Sequence, residues 1–599
     1  MTVSPAVLHS RISVFADPGT RAAARFRERF FTQDRNPDGH LAFARGLLKQ
    51  CQSKHEECGP RDPQQMPTRV IDVGASSPEP ESSPSTVRLL HTRGLRAPYL
   101  ALSYCWGRGV RHATELNDGN HAALLQGIDE AALTRTHRET IFLARSLGIR
   151  YVWIDSLCIV QGNLADWEFE SRRMAQVYRN AALTVIAGRS ADSREGFLAN
   201  GLVQEALPCA LPFGGKGKGM GGDVGDVFVC LPRSLKPGPV DSRGWCYQEK
   251  LLSSRTLLYG SEQICFSCAR STCWEDGTVT AHDSYQLRER LFQSPPAPDA
   301  GVDLAKREQL RIQMLQLWYR DIFWNYTSRL LTNPHDVFAA ISSVAQLAKN
   351  TIGSRYLAGL WEGDIIRGLL WYTQYSISTV GLAGARPMRP AIDDKQVVRA
   401  PSWSWASVAG KVHYRALHSN EHRTRDPANF LVRPKNNGGS PRWAVPSTDC
   451  DADVLRMPGC ELEFFGRPRR VRCLPVSAAE ADALGRWSRP WSKRSRLAEE
   501  GYSALLEPAE SEYQRLDDLG LEHASSSPSA RIAAVAIFDV CEERSADCWI
   551  LPLLREKFEG LLLGKGSDGK FRRLGLVPAV NDHFLPWLVS GPEEEVHLV

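Results

Sequence analysis

The sequence predicts a multidomain α/β protein: a parallel-sheet domain towards the N-terminus, then a mainly helical middle region and a β-rich C-terminal region. Three observations carry this. Between residues 99 and 187 short apolar runs alternate with amphipathic stretches, the βαβ rhythm of a parallel sheet. Leu310, Met314, Leu317 and Trp318 then fall at helical spacing, and the last 150 or so residues hold apolar runs bounded by turn residues.

The first 98 residues are irregular, with a Pro/Ser/Glu stretch from Ser76 to Ser85 that reads as a surface linker. Tyr99-Leu-Ala-Leu-Ser103 is a buried strand stopped near Gly107. Ile141, Ala144 and Leu147 make a helical stripe closed by Gly148, and Ile149 to Ile154 is the second strand. One longer helix is expected from about Asp166 to Ala182, leading into the strand Leu183–Ala187. A Gly-rich loop (214–222) precedes a compact helix and strands from Arg243 to Trp274, and Ser294–Pro298 reads as a linker. Helices are expected to about Tyr372. Strands are expected at 532–538, 549–554 and 561–563, with a hairpin turn at Gly566–Gly569. The predicted regions are 1–98, 99–275, 276–445 and 446–599, and no internal repeat is evident.

Composition narrows the class. The 599 residues carry 73 Lys+Arg against 68 Asp+Glu, a formal charge of +5, with 43% hydrophobic and 24% charged residues. Wholesale disorder, collagen and a small disulfide scaffold are excluded. No run of about 18 apolar residues occurs and the N-terminus lacks a basic-then-apolar pattern, so a soluble chain without a secretory signal or membrane span is expected. The 15 cysteines are odd in number, and Cys105, Cys158 and Cys265 lie in apolar runs. Reduced thiols and a cytoplasmic location follow as expectations.

Ligands of open α/β sheets bind beyond the carboxyl ends of the strands. Two such ends carry polar and aromatic groups: Ser103-Tyr104-Cys105-Trp106-Gly107 and Asp155-Ser156-Leu157-Cys158. Hydroxyls, a carboxylate and an indole suit a ribose and a stacked base. On the following helix Glu170 falls within the apolar stripe of Trp167, Met174, Val177, Tyr178 and Ala181. A carboxylate there is costly unless a buried cation pairs with it or a reaction uses it. Arg172 and Arg173 point away on the wheel, leaving a distant residue such as Arg243 as partner. Asp166, at the edge of the same face, is the second candidate, or a first-turn acid favouring the helix dipole.

Tyr99–Gly107, Ile149–Ile159 with Gln161, Asp166-Trp167 through Met174 to Tyr178-Arg-Asn-Ala181, and Arg243-Gly-Trp-Cys-Tyr-Gln-Glu249 with Leu252-Ser-Ser-Arg255 resemble, in order and spacing, the motifs of the fungal heterokaryon incompatibility (HET) domain. The resemblance covers about 99–275, with weaker pieces at Cys51, His55 and Cys58 and at Ala400–Ala406. Val160-Gln161-Gly162 departs from it, since the family usually has Ile or Asp before the Gln and an acid after it. The resemblance implies a role in nonself recognition, with the HET domain as a cell-death effector. It also implies a fold similar to TIR domains, flavodoxin-like, whose first strand likewise ends in Ser-Tyr. Some TIR domains cleave NAD with a glutamate placed after a tryptophan, and Trp167 with Glu170 resembles that pair. On that analogy NAD is a substrate and no resident cofactor is implied. Glu170 would be the catalytic carboxylate of an oxocarbenium-like transition state, with Ser103, Tyr104, Trp106, Trp153, Asp155 and Trp167 holding the nucleotide. The alternative is a non-catalytic signalling module that self-associates or binds a separate sensor or incompatibility protein.

Other signals read more plainly. Gly217–Gly222 matches G-x-G-x-x-G without a strand before it or a helix after it, and is read as a flexible loop. Cys51-x3-His55-x2-Cys58 and Cys265-x2-Cys268 with Cys273 each lack the paired half-sites of a zinc motif, and are read as buried thiols with a capping His, with no metal assigned. A Ser156 or Cys158 nucleophile needs a nearby His, and His137 is expected at the opposite edge of the sheet. Arg467–Arg472 and Arg486–Arg496 are read as solvated basic loops, not a nucleic-acid surface.

Overall fold

The computed structural model describes residues 37–58, 63–74, 87–107, 114–198, 237–261, 263–281, 304–373, 399–414, 427–437, 440–443, 460–475, 503–519, 532–540, 547–555 and 558–599, with short pieces at 13–16, 22, 109, 112, 209–212, 226–230, 291–292, 388–390 and 521. The stretches read as linkers at 76–85 and 294–298, the Gly-rich loop 214–222 and the basic stretch 486–496 lie outside the described residues. The chain forms two compact units, Met1–Phe292 and Gln293–Val599.

In the first unit the elements run β1 (Ser13–Ala16), α1 (Pro37–Lys54), β2 (Arg69–Asp72), β3 (Arg88–His91), β4 (Tyr99–Ser103), α2 (His121–Gln126), α3 (Arg135–Ser146), β5 (Tyr151–Trp153), α4 (Asp155–Cys158), α5 (Leu164–Ser171), α6 (Met174–Asn180) and β6 (Leu183–Ile186). They continue with β7 (Cys209–Pro212), β8 (Asp226–Cys230), α7 (Gly244–Leu252), β9 (Arg255–Tyr259), β10 (Ile264–Cys268), β11 (Ser271–Trp274) and β12 (Val279–Ala281). Nine strands form one sheet in the order β12-β11-β10-β9-β6-β4-β5-β2-β3. Its centre, β5-β4-β6-β9, is parallel, and antiparallel pairs extend both sides. β4 and β6 are buried along their whole length, as expected of apolar runs with both faces covered. β2 and β3 lie before the boundary expected at residue 99, yet belong to this sheet. The chain leaves β4 for β5 on one side and returns to β6 on the other, so the topological switch point is the carboxyl end of β4.

The long helix expected over 166–182 is two helices. Asn163 starts α5 by accepting the Asp166 N–H, and the chain then tightens, with the Arg173 N–H donating to the Glu170 carbonyl at 2.9 Å, before α6 begins. That i→i−3 bond is a 3₁₀ turn, which shifts the phase of the second segment. Both segments still face the sheet, so Met174, Val177 and Tyr178 are buried as the wheel predicts.

The second unit begins with helices at Leu304–Leu317 and Ala339–Ile352, short strands β13 (Tyr356–Leu357), β14 (Leu360–Trp361) and β15 (Trp371–Thr373) appear where further helix was expected, and β16 (Val412–Tyr414) pairs with β15. Its β-rich part is a ten-stranded sheet: β17 (Arg433–Asn437), β18 (Ser440–Arg442), β19 (Leu462–Gly466), β20 (Arg469–Pro475), β21 (Ser503–Pro508), β22 (Ala534–Phe538), β23 (Asp547–Leu554), β24 (Glu559–Lys565), β25 (Phe571–Val580) and β26 (Glu594–Leu598). Because β25 pairs with β24 as well as β22, strands β20–β25 close into a six-stranded antiparallel ring around Val471, Leu506, Phe538, Ile550 and Leu562. The turn at Gly566–Gly569 joins β24 to β25. The basic run at Arg467–Arg472 is not a loop. It enters β20, where Arg469 is buried and Arg472 pairs with Glu507 across to β21. No helix among the described residues is long and apolar enough to cross a membrane.

Candidate functional site

The end of β4 gathers most of the residues expected there. Ser103 and Tyr104 are buried, and Trp106 and Asp155 are half-buried, with the Trp106 indole donating to Asp155 Oδ2 at 2.8 Å. The Ser156 N–H holds the other oxygen of Asp155 at 2.7 Å. Tyr104 Oη donates to Ser156 Oγ at 3.0 Å and contacts His137 Nε2 at 3.1 Å. His137 is thus at this end of the sheet, not the opposite one: it sits in the first turn of α3, and a helix returning from a parallel strand starts at the strand's carboxyl edge. Burial and neighbouring His112 push its pKa down to about 3, so it is a neutral hydrogen-bonding ring. The His112 ring packs 4.9 Å from Trp106 and 5.1 Å from His137, closing the inner wall.

Trp153 is not part of this surface. It is 1% exposed and meets Tyr178 edge-on at 5.6 Å, within the core. Trp167 is half-buried and packs edge-on against Trp245 of α7 at 6.1 Å.

Glu170 is buried, as the wheel demands, and it has a cation. The partner is Arg69 of β2 and not Arg243. Arg69 Nη2 lies 3.3 Å from Glu170 Oε1 and 2.6–2.8 Å from both oxygens of Asp166, while Nε donates to the Cys158 carbonyl at 2.7 Å. Asp166 Oδ2 also accepts the Val160 N–H. Arg69 therefore bolts α4 and α5 to β2, and both candidate acids are used in that bolt. Burial raises the Glu170 pKa, and Arg69 opposes the rise.

Arg243 donates instead to the Tyr104 carbonyl at the end of β4. One residue on, α7 begins, and it is buried on nearly every side: Gly244, Cys246, Tyr247, Gln248, Glu249, Leu251 and Leu252. Glu249 is thereby brought beside Ser103, Arg243 and Asp155. Burial drives its pKa up to about 7, with Ser103 and Arg243 favouring the charged form and Asp155 opposing it. Cys105 and Cys246 share this corner, and burial pushes the Cys105 thiol up to about 11. Glu249 was not among the residues expected from sequence. The available signal was its place one helical turn after Trp245, the same tryptophan-then-glutamate order as Trp167 and Glu170.

The family model described as Heterokaryon incompatibility protein (HET) matches residues 99–249, from the first residue of β4 to Glu249 itself. Residues 99–249 thus match the HET domain. The chain is also similar to Heterokaryon incompatibility protein 6, OR allele, of Neurospora crassa: 31% identical over 93 residues, covering 15% of this chain and 14% of that protein. No solved structure gives a significant match.

The cysteines form a second grouping. The sets expected as separate buried thiols meet: ligand atoms of Cys51, His55, Cys58 and Cys268 all lie within 4.8 Å of one another. No disulfide joins Cys51, Cys58 or Cys268, whose thiols are free.

Proposed function

We propose that this protein acts in fungal nonself recognition as a heterokaryon incompatibility protein whose HET domain is the cell-death effector, and that the effector reaction is hydrolysis of the nicotinamide–ribose bond of NAD at the end of β4. The observation that carries this reading is the place of Glu249, a carboxylate buried at the topological switch point beside Ser103 and Arg243, where desolvation favours its protonated form. In the reaction water adds to the ribose carbon, nicotinamide leaves, and ADP-ribose and a proton are released. Glu249 stabilises the positive charge that develops on the ribose, as carboxylates do in glycoside hydrolysis. Asp155 and Ser103 hold sugar hydroxyls, the half-buried Trp106 offers a stacking face, and Arg243 neutralises phosphate. The parallel order β5-β4-β6-β9 is, in chain order, second-first-third-fourth, which supports the flavodoxin-like and TIR-like reading of the domain. The buried free thiols of Cys105, Cys158 and Cys246 support work in a reducing compartment.

The test is NAD consumption by the purified full chain beside Glu249→Gln and Glu170→Gln. Loss of turnover in the first with retention in the second is expected. Equal rates in wild type and Glu249→Gln, or no turnover by wild type, would sink the catalytic reading.

A second reading, assembly with copies of itself or with a sensor, is favoured by Leu164 and Phe169 on α5, which are 54% and 50% exposed. Toxicity that survives Glu249→Gln but is lost in Leu164→Asp with Phe169→Asp would establish it.

A further inference from the structure

Helix α1 buries His40, Ala44, Leu48 and Cys51, one residue per turn along a single face. His55 follows Cys51 by four positions, with its N–H bonded to the Cys51 carbonyl at 3.1 Å, so the two side chains stand one above the other. A 3₁₀ turn over Glu56–Cys58 then brings Cys58 round to the same side. What this face meets is the end of β10, where Cys268 Sγ lies 3.6 Å from His55 Nδ1 although the two residues are 213 positions apart. Sequence spacing alone gave half a motif, and the fold supplies the other half.

We infer that Cys51, His55, Cys58 and Cys268 are the four ligands of a structural zinc ion. Three sulfurs and one imidazole nitrogen are a recognised tetrahedral set, and Zn–S bonds of about 2.3 Å place neighbouring sulfurs about 3.8 Å apart. The four ligand atoms already lie within 4.8 Å of one another, so closure around an ion takes only small rotations. Soft thiolates at tetrahedral spacing select zinc over magnesium or calcium. All four positions are filled by protein, which leaves none for water or substrate, and the site is therefore a staple and not a catalyst.

The surroundings fit the charge. Three thiolates and Zn²⁺ leave one net negative charge, and Arg255 Nε donates to Cys51 Sγ at 3.2 Å from a buried position. Arg255 is fixed there by sheet register, directly opposite Cys268 in the β9–β10 pair. It acts on the ion through a ligand, as outer-shell partners do. The staple ties α1 to the antiparallel side of the HET sheet, where His40 Nε2 also reaches Glu275 at 2.9 Å. It is independent of the β4 strand end.

The experiment is elemental analysis of the full chain purified without added chelator, followed by exchange into cobalt. Wild type is expected to hold a single zinc per chain. Its cobalt form should show the intense visible bands of a tetrahedral site and sulfur-to-metal charge transfer. Cys268→Ser should lower zinc content about tenfold or more, whereas Cys209→Ser, at an exposed cysteine outside the cluster, should not change it. His55→Cys keeps four ligands, so it should retain the ion with altered cobalt bands even where the serine variant is poorly folded. A wild-type chain that is folded, lacks zinc and takes up no cobalt would overturn the assignment. A disulfide among these cysteines, or an unchanged cobalt spectrum in His55→Cys, would do the same.

Discussion

Glu249→Gln should make the protein more stable at the pH where it abolishes turnover. Burial lifts the folded carboxyl from its ordinary 4.5 to about 7, which at about 1.4 kcal/mol per pKa unit disfavours the ionised folded state by roughly 3 kcal/mol. A raised acid pKa means the folded chain binds the proton more tightly than the unfolded one. That contribution to stability is fully present below 4.5 and is lost as pH rises through about 7. Glutamine carries no such penalty. The rise to about 7 is already net of the opposing pull of Arg243, so the gain is roughly 3 kcal/mol above about pH 8, with little difference near about pH 4. The assay is urea unfolding of wild type and variant across this range, with NAD consumption measured alongside. Turnover by wild type should rise through about pH 7 as Glu249 ionises. Parallel stability curves for the two proteins, or a variant that is less stable at high pH, would refute the placing of this carboxylate in a desolvated corner.

Arg69→Met should cost about 3–5 kcal/mol in unfolding experiments, because it strands Asp166 and Glu170 beside a buried backbone. Adding Glu170→Gln should restore part of that loss, and acidification should narrow the gap, since Glu170 then takes up a proton; strict additivity would argue against the bolt. In the second unit Arg573 is fully buried, donates to Asp539 Oδ2 at 2.8 Å and stacks on Trp371 at 3.5 Å, so Arg573→Met should lower its thermal transition. Arg573→Lys should not rescue it, for lysine lacks the planar fork. Gly359 has φ +94° and an added Cβ would fall 2.1 Å from Trp405 Nε1, so Gly359→Ala should yield little folded protein on expression.

The parallel strands were legible because β4, β5 and β6 are apolar runs punctuated by glycine and flanked by one-faced helices. The burial of Glu170 was legible for the same reason, since a wheel reports which side of a helix faces the sheet. Its partner was not: Arg69 lies 101 positions away and reaches it through an antiparallel strand pairing that leaves no local trace. The break after Ser171 involves one backbone hydrogen bond and no Gly or Pro, so composition was silent about it. Glu249 escaped because α7 is buried nearly all round, and a helix without a polar side offers no contrast against which a buried acid stands out. Cys268, the third cysteine and fourth ligand of the cluster, was hidden by distance along the chain, not by any ambiguity in its chemistry.

The order of strands bears on how this domain can be handled outside its chain. A fragment cut to the matched span 99–249 would lose β2 and β3 on one side and β9 to β12 on the other. β5 and β6, both interior strands now, would each present a bare row of N–H and C=O groups. Such rows are templates for any other extended chain. Clumping or fibre formation by that fragment would then reflect where the scissors fell. Polymerisation offered as evidence of signalling should be demonstrated on molecules that keep all nine strands.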